Sequence, residues 1–133
     1  MSYIHFTFAT SAFGDPDEIR KQNVNEIEGN SLARWLSGEL KAQGIDASDV
    51  WAEDHGWDFS ILHTGAKYLC ACSREDGEGG PAEAHVTLHK SRSLMDKMMG
   101  RNKLEAADAA AAAIRSALKA SADVNALEED SAK

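Results

Sequence analysis

Trp51-Ala52-Glu53-Asp54-His55-Gly56-Trp57-Asp58-Phe59 places two tryptophans, three carboxylates, a histidine and a glycine within nine residues. It decides the fold because the hydrophobic period changes across it. Upstream, Leu32, Trp35, Leu36 and Leu40 recur at helical spacing. Downstream, Trp57, Phe59 and Ile61 alternate with Asp58, Ser60 and Leu62, which is the period of a strand. Ser31 is a suitable N-cap for the upstream segment. Gly44 is its natural stop, with Ile45 folding back on the last turn. The spacing therefore predicts a helix over residues 32–43.

The alternating segment continues into a meander. Thr64-Gly65 reads as a tight turn, residues 67–73 as a returning strand, and residues 74–81 as a polar, glycine-rich loop. Residues 85–89 alternate again. Before the helix, Ile4, Phe6 and Phe8 alternate with His5 and Thr7, giving a first strand. Residues 14–30 have poor helix propensity and read mostly as loop, although Asp15-Pro16-Asp17-Glu18 suits a first helical turn. After the meander, Ser93 opens a short helical turn carrying Met95, Met98 and Met99. Asn102 and Glu105 have capping-box spacing for a last helix, with Leu104, Ala107, Ala111, Ile114 and Leu118 along one side. The acidic stretch 123–133 is expected to fray.

The order strand, helix, three strands, helix predicts a single α+β domain over residues 1–122. Its form is a two-layer sandwich: a mainly antiparallel four-stranded sheet with two main helices on one face. Inward positions are Ile4, Phe6, Phe8, Trp57, Phe59, Ile61, Leu69, Ala71, Val86 and Leu88. The opposite face then carries His5, Thr7, Asp58, Ser60, Tyr68, Cys70, Cys72, His85, Thr87 and His89.

Bulk properties narrow the function classes. With 133 residues, 43% of them hydrophobic, the chain has enough material for one packed core. A net charge of −8 disfavours general binding to nucleic acid, which needs surplus cations to displace counterions. It equally disfavours anionic membranes, and no apolar stretch approaches the roughly 20 residues of a membrane span. The first residues lack a basic region and an apolar core, so no signal peptide is expected. Cys70 and Cys72 are too close in sequence for an unstrained disulfide, so they read as reduced thiols of a cytoplasmic protein.

Three groups carry candidate chemistry. Glu53, Asp54, His55 and Asp58, flanked by Trp57, offer an acid–base or cation-binding cluster; no catalytic triad, zinc-helix or calcium-loop spacing surrounds them. The plainer alternative is a turn braced by carboxylates over a core tryptophan. Cys70, Cys72 and His85 are candidate metal ligands if the strand register puts them on one face; His85 and His89 lie roughly 13 Å apart along a strand, too far to share an ion. The sequence predicts no cofactor. Third, Lys90, Arg92, Lys97, Arg101 and Lys103, interleaved with Met95 and Met98, form a basic candidate docking segment. The alternative there is methionines at the core edge with solvated lysines.

Leu32-Ala33-Arg34-Trp35-Leu36, Leu40, Gly44 and Glu53-Asp54-His55-Gly56-Trp57 together resemble a group of small bacterial proteins of no assigned activity. These share a Leu-Ala-x-Trp-Leu helix followed by a Glu-Asp-x-Gly-Trp segment. The likeness spans residues 29–73. It implies a bacterial, cytoplasmic α+β domain and leaves the function open. The middle position of the second motif is often aromatic in that group; His55 departs from it, so no role transfers to His55.

The expectation for function is a non-enzymatic protein-binding or regulatory module, with a protein partner or a second copy as its target. An immunity-type inhibitor masking a basic protein is the narrower version. The alternative is a small enzyme or a metal- or ligand-binding protein using the Glu53–Asp58 cluster or the Cys70/Cys72/His85/His89 face.

Overall fold

The structure, a computed structural model, describes residues 2–132. Among the described residues the chain forms seven strands and four helices. In order these are β1 (Tyr3–Thr10), α1 (Asp17–Arg20), α2 (Asn30–Ala42), β2 (Asp46–Ala47), β3 (Trp51–Glu53), β4 (Gly56–His63), β5 (Ala66–Glu75), β6 (Ala82–Lys90), α3 (Leu94–Met99), α4 (Ala109–Ala120) and β7 (Asn125–Ala132). The strands make one antiparallel sheet in the order β2-β4-β5-β6-β1-β7, with β3 also pairing β4. The fold is α+β, as expected, but the sheet has seven strands rather than four.

The meander is formed as expected. Thr64 and Gly65 both take positive φ, +48° and +81°, the pairing that a two-residue turn matching strand twist requires. The C-terminus of α2 also follows its sequence: Gly44 is left-handed at φ 81°, and Ile45 N–H donates back to the Leu40 carbonyl at 3.0 Å. Its N-terminus does not. Ser31 lies inside the first turn, and the helix is capped from a distance by Asp15. The Asp15 carboxylate accepts from the backbone N–H groups of Gly29 (2.9 Å), Asn30 (2.9 Å) and Ser31 (2.8 Å). α1 is correspondingly one short turn with Pro16 at its N-cap.

One face of the sheet buries Ile4, Phe6, Phe8, Trp57, Phe59, Ile61, Val86 and Leu88 against Leu32, Leu36 and Leu40 of α2 and Ile114 and Leu118 of α4. Each such side chain removed from water contributes about 1.5–3 kcal/mol. The last helix starts at Ala109, later than the capping-box spacing predicts. Asn102 sits at φ +55°, incompatible with an N-cap, and residues 101–108 turn irregularly while still burying Leu104.

Two expectations are corrected. Residues 125–132 are not a frayed tail: they form β7, antiparallel to β1, with Tyr3 opposite Ala132 and Phe6 opposite Glu129. Arg115 of α4 holds this strand through Glu129 with bonds of 2.6 and 2.9 Å. The register of β5 is also one residue off. Tyr68, Cys70 and Cys72 face the core, while Leu69 and Ala71 are half-buried on the opposite face. Tyr68 and the two cysteines oppose Ile61, Phe59 and Trp57, so the inward set of β4 dictates their side. No helix among the described residues is long and apolar enough to cross a membrane.

Candidate functional site

The β5 register disposes of the cysteine-containing metal set. Cys70 and Cys72 are free, buried on the helix-bearing side, and separated by the sheet from His85 on the other. Burial, with the neighbouring Cys72 thiol, pushes the Cys70 thiol well above its ordinary pKa, which keeps it protonated and inert.

Cross-strand registers order the face opposite the helices into rows. Asp58, Ala71, Thr87, His5 and Asp130 align across β4, β5, β6, β1 and β7. Ser73, His85, Thr7 and Glu128 form the next row. Four of the five histidines in the chain, His5, His55, His85 and His89, line a concavity of about 350 Å³ here, with Ser73 and Thr87. A second concavity of about 400 Å³ continues past His55 and His85 towards Glu28, Arg74 and Asp76.

Of the Glu53–Asp58 cluster, the structure brings together His55, Asp58 and, more loosely, Asp54. His55 Nε2 is 2.7 Å from Asp58 Oδ1, and its Nδ1 is 3.5 Å from Asp54 Oδ1. Asp58 is buried at 1% exposure; Glu53 and Asp54 are exposed. Glu53 turns instead to Trp51, whose indole N–H donates to it at 2.8 Å. Trp57 points through the sheet into the core, and its indole N–H donates to the Ile27 carbonyl at 2.8 Å. The turn itself is braced from below by two residues that the sequence pattern left in the loop. Asn23 Nδ2 donates to the carbonyls of Glu53 (2.7 Å) and Gly56 (2.9 Å), and Asn25 Nδ2 to that of Asp54 (2.7 Å).

The electrostatics of this pair follow from burial and contact. Burial lowers the His55 pKa, but the hydrogen bond and charge of Asp58, with Asp54 and Glu53, outweigh it and the net shift is upward. Asp58 is raised by burial, against the opposing pull of His55. A buried carboxylate orienting a half-exposed imidazole is an acid–base arrangement, yet no hydroxyl or thiol is hydrogen-bonded to His55 among the described residues.

A second network occupies the middle of the face. His5 Nδ1 is 2.7 Å from Thr87 Oγ1, His5 Nε2 is 3.0 Å from His85 Nδ1, and His85 Nε2 is 2.8 Å from Glu83 Oε1. Burial, then the nearby His85, lowers the His5 pKa below its ordinary value of about 6.5. The folded protein therefore binds this proton less readily than the unfolded chain. His5 thus costs stability as pH falls from the unfolded value through the lowered folded one. His55, shifted upward, acts oppositely: its contribution is present at low pH and lost as pH rises through its folded pKa. His5→Gln should therefore flatten the loss of stability on acidification from pH 7.5 to 5, read as the urea midpoint at each pH. An unchanged slope would contradict the assignment.

The basic segment divides in two. Lys90 pairs with Asp108 at 3.0 Å and lies over the Tyr68 ring, and Arg92 donates to the carbonyls of Arg101 and Asp96; both are structural. α3 buries none of its residues: Leu94 is 75%, Met95 57%, Met98 75% and Met99 62% exposed. The methionines therefore do not cap the core edge. Lys97 and Lys103 form no salt bridge among the described residues, and Arg101 has a long one to Asp96 at 3.8 Å.

No protein-family model matches this chain, and no curated protein is found to be similar to it.

Proposed function

We propose that this chain is a non-enzymatic protein-binding or regulatory module, acting in the cytoplasm, that docks through α3. One observation carries the reading: a six-residue helix presents Leu94, Met95, Met98 and Met99 to solvent, flanked by Lys97, Arg101 and Lys103. Adjacent apolar side chains held out of the core cost solvation free energy that a partner recovers on binding. Flexible methionines suit an apolar groove, and the cations favour one with an acidic rim. The narrower immunity-type reading, in which the protein masks a basic target, draws instead on the net charge of −8 and on Glu128, Glu129 and Asp130 of β7.

The test is capture of a stoichiometric partner from native lysate by the wild-type chain, read by mass spectrometry. Two variants follow: Met95→Ser with Met98→Ser, and Lys97→Glu with Arg101→Glu and Lys103→Glu. These side chains support no core, so folding should be unchanged while the partner is lost from both. A partner retained by both variants, or none captured, sinks docking through α3. Loss of the partner on charge reversal of Glu128 and Asp130, with Glu129 kept because it anchors β7 to Arg115, would select the masking version.

A second reading, a small enzyme or ligand-binding protein, is favoured by the buried Asp58 behind His55 at the rim of the concavity. It requires a metabolite whose thermal stabilisation of the protein disappears in His55→Ala.

A further inference from the structure

The His5–His85 pair has a geometry that its role as a hydrogen bond does not exhaust. We propose that His5 Nε2 and His85 Nδ1 form a two-imidazole site for a first-row divalent cation of the copper or zinc type, at the centre of the open sheet face. The two nitrogens are 3.0 Å apart. Two metal–imidazole bonds of about 2.0–2.1 Å, at angles between square and tetrahedral, require a nitrogen separation of roughly 3 Å. The rings are already near that spacing, with centroids 5.2 Å apart and planes inclined at 33°, so a small tilt of each turns the lone pairs onto a shared ion.

The far nitrogen of each ring is held as metal-binding histidines are. Glu83 Oε1 accepts from His85 Nε2 at 2.8 Å, which fixes the tautomer that leaves Nδ1 with a free lone pair. Thr87 Oγ1 sits 2.7 Å from His5 Nδ1. Without metal, His5 carries its hydrogen on Nε2 and donates it to His85. With metal, that hydrogen moves to Nδ1, where Thr87 accepts it, and the cation takes its former place. The hydrogen moves within the His5 ring and is not lost, so the exchange balances.

The surroundings favour a cation over an anion. Glu83 and Asp130 both act on His5 electrostatically, and the whole chain is acidic. Among the described residues no three His, Cys, Asp or Glu side chains form a ready-made ligand set. The protein therefore supplies two ligands, and water or a bound small molecule supplies the others. A site with positions left open is one at which a ligand can be held or polarised.

The test is titration of the full chain with Cu²⁺ and Zn²⁺ by calorimetry, with electron paramagnetic resonance of the copper form. One copper per chain is expected, with hyperfine structure from two imidazole nitrogens and tighter binding of copper than of zinc. His85→Ala should weaken binding at least tenfold, as should His5→Ala. Glu83→Gln, which loses only the outer carboxylate, should weaken it about tenfold. His63→Ala, outside the concavity, should leave it unchanged. His5 lies on a central strand; if His5→Ala does not fold, His85→Ala and Glu83→Gln decide the matter, because both side chains reach the surface. Copper bound with undiminished affinity by His85→Ala, a spectrum lacking two nitrogens, or no binding by the wild type each overturns the site.

Discussion

Trp57→Ala is expected to lower the free energy of unfolding by about 3–5 kcal/mol, the range for deleting a large buried aromatic. The ring is 3% exposed in the helix-facing core, opposite Cys72 on β5. Its truncation leaves a cavity that α2 cannot collapse into without moving the sheet. It also strands the Ile27 carbonyl, whose donor at 2.8 Å is the indole N–H. The internal control is the other tryptophan of the same segment. Trp51 is 37% exposed on the short edge strand β3, and Trp51→Ala should change stability by about 0.5 kcal/mol or less. Urea unfolding of both variants separates the two roles; equal losses would contradict this placement of the rings.

Arg74→Met should cost a comparable amount, about 3–5 kcal/mol, for an electrostatic reason. The side chains of Arg74 and Glu28 are 8% and 9% exposed and meet at 3.0 Å. Arg74 Nε also donates to the Ala12 carbonyl at 2.8 Å, and its guanidinium reaches Asp76 at 2.8 Å. Removing the cation leaves the Glu28 carboxylate buried without a counter-charge. Glu28 in turn accepts from Asp15 N–H at 2.8 Å, and Asp15 caps α2, so the damage spreads to the helix start. The double variant Glu28→Gln with Arg74→Met removes the orphaned charge while keeping an acceptor for Asp15. It should be more stable than Arg74→Met alone. If the double variant is the less stable of the two, burial of the unpaired charge is not what makes the single change costly.

These two sites also mark where the sequence was readable and where it was not. Trp57, Phe59 and Ile61 announce their face by alternation, and β1, β4, β6 and the body of α2 follow from the same signal. On β5, Tyr68, Cys70 and Cys72 compete with Leu69 and Ala71, and alternation alone cannot choose between two half-apolar sets. Pairing with β4 chooses. β7 was invisible for a different reason. Asn125–Ala132 has one large apolar residue, Leu127, and exists through backbone bonds to β1 and the Arg115–Glu129 pair, neither of which leaves a periodic trace. Remote capping by Asp15 was likewise hidden, because an acid that looks like the start of one helix serves another. Within the site, the Glu53–Asp58 segment and the histidines of the open face were legible. That His5 meets His85 was not, since it depends on a diagonal contact between strands 80 residues apart.

The position of β1 has a kinetic consequence. It precedes the other described strands of this chain, yet its two neighbours, β6 and β7, lie in the last half of it. Closing Tyr3 onto Ala132 fixes almost the whole chain into one loop, whereas the β4–β5 turn closes at once. Folding thus cannot run from the first residue to the last. Loop-closure cost alone makes the β4–β5–β6 meander the expected nucleus, with β1 pairing after β6 and β7 last; Phe6→Ala should then speed unfolding and leave the refolding rate nearly unchanged. Until β6 is in place, Ile4, Phe6 and Phe8 form an apolar segment without a sheet partner, the kind of surface that pairs with other chains.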